Sequence, residues 1–127
     1  MNEASSGVGA ASRTELEAIV TEQWKSRGSY RFCGLYGARA RLDNRGQATL
    51  IGLGQNGPPP TDGARLTLAM NSHTAAGSGS FPVLQAILQR PETRLRDTGI
   101  STRQATEDYL RRHPELVITP HAWLSAD

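Results

Sequence analysis

The sequence predicts an α+β domain in which an antiparallel or mixed sheet of about four strands packs with three helices. Three observations carry this. An amphipathic run follows Ser12-Arg13-Thr14-Glu15, short alternating runs fill Tyr30 to Met70, and two further helical runs open at Ser80-Phe81-Pro82 and Ser101-Thr102-Arg103-Gln104. A chain of 127 residues supports one such domain with a modest core.

The first element is not structured by pattern. Residues 1–12 are small and polar, with neither a basic n-region nor an apolar h-region, so they predict a flexible tail rather than a signal peptide, and the domain is expected over 13–127. Ser12 and Glu15 have capping-box spacing, which predicts a helix start. Leu16, Ile19, Val20 and Trp24 then recur at helical spacing, Glu17, Glu22 and Lys25 fall elsewhere, and Gly28 is the expected stop. Three strands follow, Ala38 to Leu42, Ala48 to Leu53 and Arg65 to Met70. Asp43-Asn44-Arg45-Gly46 joins the first two as a hairpin, with Gly46 placed for positive φ. The second join, Gly54 to Gly63, contains Pro58-Pro59-Pro60 and is expected to be extended and solvent-facing. Leu66, Leu68 and Met70 share one face of the third strand.

Pro82 suits a first helical turn, and Phe81, Leu84, Ile87 and Leu88 form the inner stripe of the helix it opens. Ser101 to Gln104 repeats the capping pattern and opens a helix that puts Ala105 and Tyr109 on one face and ends before His113-Pro114. Leu116 to Ile118 is expected as a short strand or extended segment.

Composition excludes several classes. Arginines are spread along the chain rather than gathered into a basic face, which argues against nucleic acid as a partner. No apolar stretch is long enough to span a bilayer, so no membrane partner is expected and the cytoplasm is the default compartment. The lone Cys33 permits no internal disulfide, no Cys/His spacing suits a structural zinc, and the apolar run around Cys33 predicts a buried, inert thiol. No set of nucleophile, base and orienting group can be assembled, so no catalytic residue is assigned. Glu15, Glu17, Glu107 and Asp108 are expected on exposed helix faces as solvated charge pairs with nearby arginines.

The segment Asn71-Ser72-His73-Thr74-Ala75-Ala76-Gly77-Ser78-Gly79-Ser80-Phe81 leads from a strand into a helix through small residues. Together with Asp97-Thr98-Gly99-Ile100 and Tyr109-Leu110, it resembles the second half of the 5'-nucleotidase C-terminal domain, whose loop is written N-S-F-L-A-x-G-G-D-G-F/Y. Leu16-Glu17-Ala18-Ile19-Val20 is similar to that family's L-x-x-A-L-E helix, and Tyr30-Arg31-Phe32-Cys33-Gly34-Leu35 to its F-L-Q-x-S-G-L. The resemblance runs from Thr14 to Val117.

The resemblance implies a nucleotide- or substrate-specificity module acting in nucleotide catabolism, with a nucleotide or nucleoside as ligand. In the family a metallophosphatase domain carrying D-x-H, G-D, G-N-H-D/E and G-H-x-H motifs supplies two divalent metals. None of these motifs occurs here, nor do the first strands of the domain, so the chain looks partial, with no cofactor of its own. Hydrolysis would then need a metallophosphatase partner chain, and self-association is the other way to complete the sheet. A fragment of an exported nucleotidase would instead belong to the periplasm or cell exterior.

By the same resemblance the base stacks between two aromatics. Tyr30 matches the first, with Phe32 as a rival, and His73 stands at the second. Gly77, Ser78 and Gly79 form the loop floor, where amides and hydroxyls could cradle an anion. Gly79 stands where the family has an Asp, a loss that favours the alternative of a non-enzymatic interaction module. In that alternative Tyr30 and Phe32 are core or half-core residues, His73 is a surface histidine, and the glycines serve backbone geometry alone.

Overall fold

The structure, a computed structural model, describes residues 5–116 and 123–126. Among the described residues, six strands and four helices follow one another as β1 (Ser5–Ser12), α1 (Arg13–Lys25), β2 (Ala38–Leu42), β3 (Ala48–Leu53), β4 (Arg65–Asn71), α2 (Ser72–Ala75), α3 (Pro82–Leu88), β5 (Arg96–Ser101), α4 (Thr102–Arg112) and β6 (Leu124–Ala126). The α+β class is as expected. The strands, however, divide into two three-stranded sheets, ordered β4-β1-β5 and β3-β2-β6. The first is antiparallel throughout, and β6 joins the second parallel to β2.

Helix α1 starts as its sequence dictates. Ser12 Oγ accepts from the Glu15 amide at 3.1 Å while Glu15 Oε1 accepts from the Ser12 amide at 2.9 Å, the reciprocal pair of a capping box. The helix then divides two cores. Leu16 and Val20 pack with Ala40, Leu42 and Leu50 of the β3-β2-β6 sheet, whereas Ile19 packs with Phe81, Leu84, Ile87 and Leu88 around α3. Leu68 of β4 touches both clusters and so joins the two sheets through one strand face. Asp43 to Gly46 forms the β2–β3 turn with Gly46 at φ +77°, where a side chain would be disfavoured.

The tail expected over residues 1–12 is corrected by β1. Residues 1–4 lie outside the described residues, but Ser5–Ser12 is the central strand of its sheet, antiparallel to both β4 and β5. Its small residues are a packing requirement rather than a sign of a linker. A Cβ at Gly9 would stand 2.7 Å from Thr93 Cγ2, and one at Gly7 would stand 3.0 Å from Ala75 Cβ. The 3-10 turn at Pro91–Thr93 and helix α2 therefore lie directly on the strand backbone.

Edge strand β3 is covered by side chains of α1. The Ala48 amide donates to Thr21 Oγ1 at 2.9 Å, the Leu50 amide donates to Glu17 Oε2 at 2.7 Å, and Leu50 O accepts from Arg13 at 2.9 Å. Glu17, expected as a solvated charge, is thus half-buried and committed to a strand edge. Glu15 is corrected in the same way: its side chain is 12 % exposed and pairs with Arg65 of β4 at 3.1 Å and with Arg90 beyond α3 at 2.7 Å. Glu107 and Asp108 on α4 do form solvated pairs, with Arg103 and Arg111. The join from Gly54 to Gly63 is exposed over most of its length, but Pro60 is buried and its carbonyl accepts from Arg13 at 3.0 Å. Ser101 caps α4 through its hydroxyl, which accepts from the Gln104 amide. Leu116 is not in a strand, and residues 117 and 118 lie outside the described residues.

Candidate functional site

Two segments meet at the site. The first runs from the end of α1 to β2 without regular structure, because Gly28 at φ +79° and Gly37 at φ +90° bound it and its amides find partners one at a time. The Phe32 amide donates to Ser29 O, the Arg31 amide to Ser29 Oγ, and the Cys33 amide to Gln23 Oε1 on α1. Taking up that amide lays the backbone against α1 and leaves the thiol outside. Cys33 is therefore exposed, not buried as its apolar neighbours suggest.

The second segment joins α2 to α3. Asn71 caps α2 through its side chain, which accepts from the Thr74 amide at 2.8 Å, and the loop then folds back so that the Ser78 amide donates to His73 O at 2.9 Å. Gly77 and Gly79 have φ of +111° and +89°, and Ser80 is also left-handed at +55°. Three such residues in four make a sharply curled loop that only glycines and a tolerant serine can fill.

Arg31 fastens the two segments together. Its Nε donates to Gly79 O at 2.8 Å and its Nη2 to Ser80 O at 3.3 Å, while the guanidinium carbon lies 5.3 Å from the centre of the buried Phe81 ring. Tyr30, the residue before it, carries its side chain in solvent at 98 % exposure. Phe32 is spent elsewhere: it is half-buried and stacks on Trp123 at 6.1 Å between centroids. Of the two rival aromatics, only Tyr30 keeps both ring faces bare. His73 is exposed on α2. So Arg31, next to Tyr30 in the chain, is tied to Gly79 and Ser80, and the same loop folds back on His73, while the Tyr30 ring stacks on no other ring among the described residues.

The loop amides are only partly available to an anion. The first amides of α3 are already satisfied from α1: Glu22, expected off the buried face, is buried, and its carboxylate accepts from Val83 at 2.7 Å and Leu84 at 3.0 Å. Phe81, not Ser80, is the residue before α3 and has no side-chain cap of its own, so Glu22 supplies the cap from 61 residues away. The missing acidic residue at Gly79 also has a steric side. A Cβ there would fall 2.6 Å from Phe81 Cε2, so the loop is built around a glycine.

Sequence reasoning missed Arg31 and Glu22. Both act through contacts with residues more than forty positions away, and neither breaks a local pattern. Among the described residues, no three His, Cys, Asp or Glu side chains cluster closely enough to hold a metal, and no helix is long and apolar enough to cross a membrane.

Among solved structures, the chain is similar to the NAD nucleotidase of Haemophilus influenzae, with a TM-score of 0.74 and 14 % identity. It is also similar to the 5'-nucleotidase precursor of Thermus thermophilus, with a TM-score of 0.73 and 19 % identity. Each alignment covers 98 % of this chain and 25 % of the other. The fold is the one these nucleotidases carry. The chain spans about a quarter of their length, and at such identities the likeness concerns the fold. No protein-family model and no curated protein sequence matches the chain.

Proposed function

We propose that this chain is a nucleotide- or nucleoside-recognition module of the kind found in 5'-nucleotidases, contributing substrate binding and no chemistry of its own. The observation that carries this reading is Tyr30, an aromatic ring with both faces bare on a segment that Arg31 ties to Gly79 and Ser80. A ring with open faces suits base stacking, worth about 1–3 kcal/mol per base. His73, at the other end of the same loop, supplies the second ring when a ligand lies between them. The two-metal chemistry of a nucleotide phosphohydrolase has no donor set among the described residues. Phosphate release would depend on a metallophosphatase domain or partner chain.

The test is an amide-resolved titration with adenosine. Signals of Tyr30, His73 and Ser78 should move together, with a Kd no tighter than about 1 mM, because one or two stacking contacts barely offset the cost of association. Tyr30→Ala should abolish the response. The purified chain with manganese or zinc should release no phosphate from adenosine monophosphate above background, and turnover that survives repurification would refute the division of labour. The second reading, an interaction module that kept the fold and lost the ligand, is favoured by Gly79, where Phe81 leaves no room for an acidic side chain. Silence of those three signals at millimolar adenosine in the folded protein decides for it.

A further inference from the structure

A groove lies between α1 and the start of α3, and it holds cations with donors that the fold does not consume. Lys25, Ser26, Arg31 and Ser80 line it, with the carboxylates of Glu17 and Glu22 on its α1 side. Both carboxylates are committed, Glu22 to the amides of Val83 and Leu84, and Glu17 to the Leu50 amide and Arg13. The cations are committed only in part. A guanidinium has five N–H donors, and Arg31 spends two of them on Gly79 O and Ser80 O, leaving three. Lys25 is exposed on the last turn of α1 and makes no ion pair among the described residues.

We infer that this groove is an anion subsite, binding a phosphate or carboxylate through the spare donors of Arg31 and the ammonium of Lys25. The hydroxyls of Ser26 and Ser80 stand on the same groove and complete the donor set. The guanidinium is already fixed by two carbonyls and by the Phe81 ring, so little side-chain freedom is lost when an anion arrives. The α3 amides take no part, since Glu22 fills them. Tyr30 adjoins Arg31 in the chain though it does not line the groove, and on the nucleotide reading a ligand with a flat ring and an attached anion spans the two. In that last respect the inference rests on the nucleotide reading; the anion subsite itself does not.

Three probes separate the two ideas on the intact, isotope-labelled chain at low salt: inorganic phosphate, neutral adenosine, and adenosine monophosphate, with sodium chloride as the control anion. Phosphate should shift the Ser26, Arg31 and Ser80 amides. Adenosine monophosphate should bind about fivefold tighter than adenosine, since charge-assisted hydrogen bonds are about twice as strong as neutral ones. Lys25→Gln should weaken phosphate and adenosine monophosphate about threefold while leaving adenosine unchanged, and screening by about 0.2 M salt should erase most of that difference. Arg31→Lys should weaken the two anions at least as much, but it also loosens the loop, so the exposed Lys25 variant decides. The subsite is overturned if phosphate leaves those amides still, if chloride moves them equally, or if Lys25→Gln has no effect on the anions. A phosphate response without an adenosine response sinks the nucleoside reading and keeps the subsite; the reverse pattern does the opposite, and no response to either sinks both.

Discussion

Replacing Glu22 with alanine removes the cap that α1 provides for α3. The carboxylate accepts two hydrogen bonds, at 2.7 and 3.0 Å, from the amides of Val83 and Leu84. Hydrogen bonds to a charged group contribute about 1.5–3 kcal/mol each, and the interaction of a carboxylate with a helix N-terminus adds about 0.3–1 kcal/mol. In Glu22→Ala both amides lose a charged partner, the Leu84 amide in a buried position, so a loss of about 3 kcal/mol is expected. With a urea slope of about 2 kcal/mol/M, the unfolding midpoint should drop by about 1.5 M. Glu22→Gln retains one acceptor oxygen and should fall between the two proteins. Urea titration followed by circular dichroism gives the free energies, and hydrogen exchange gives the location. The Val83 and Leu84 amides should be protected in the parent and exchange rapidly in the alanine variant. A change below about 0.5 kcal/mol, or continued protection of those two amides, would refute the assignment of Glu22 as the cap of α3.

Two further outcomes follow from the packing. Burial raises the carboxyl pKa of Glu15, but bonds from the Ser12 amide, Arg90 and the Ser12 hydroxyl, with the charge of Arg65, outweigh it and hold the group below its ordinary value. A depressed folded-state pKa means that this stabilisation is fully present above the ordinary glutamate value and is lost as pH falls through the lower folded value. Glu15→Gln should therefore be less stable than the parent at pH 7 and flatten the acid limb of its stability profile; an unchanged slope in acid urea titrations would contradict the tie. At β1, Gly9→Ala should cost about 1–3 kcal/mol, because the new Cβ meets Thr93 Cγ2 at 2.7 Å. Thr93→Ser removes that methyl yet keeps the hydroxyl that donates to Ile87 O, so the double variant should recover part of the loss by thermal melt.

Elements whose cause is local were legible in the sequence. The Ser12–Glu15 box, the Gly46 turn and the Phe81-Leu84-Ile87-Leu88 stripe each specify themselves within a few residues, and each stands where it was expected. Strand β1 was not legible, because its composition answers to Thr93 and Ala75, which are distant in sequence. The same holds for Glu22, which occupies a polar position on α1 but turns toward amides supplied by another helix. Tyr30, His73 and the loop glycines could be picked out by resemblance, and the segments that carry them are joined by one side chain. That side chain is Arg31, and a lone arginine in an irregular segment carries no local sign of the carbonyls it will bind.

The side chains that α1 lays along β3 tie two fates together. Thr21, Glu17 and Arg13 occupy hydrogen-bonding positions that another strand would take, so the helix acts as the missing neighbour of that sheet. A foreign strand can be templated on β3 only after the helix has left. At this edge, then, the first step toward edge-to-edge assembly is detachment of α1, a local opening whose free energy sets how often the edge is bare. Conditions that strengthen helix α1 should slow aggregation without touching any strand. Glu17→Ala, which bares the Leu50 amide, should hasten aggregation while the rest of the sheet is still folded.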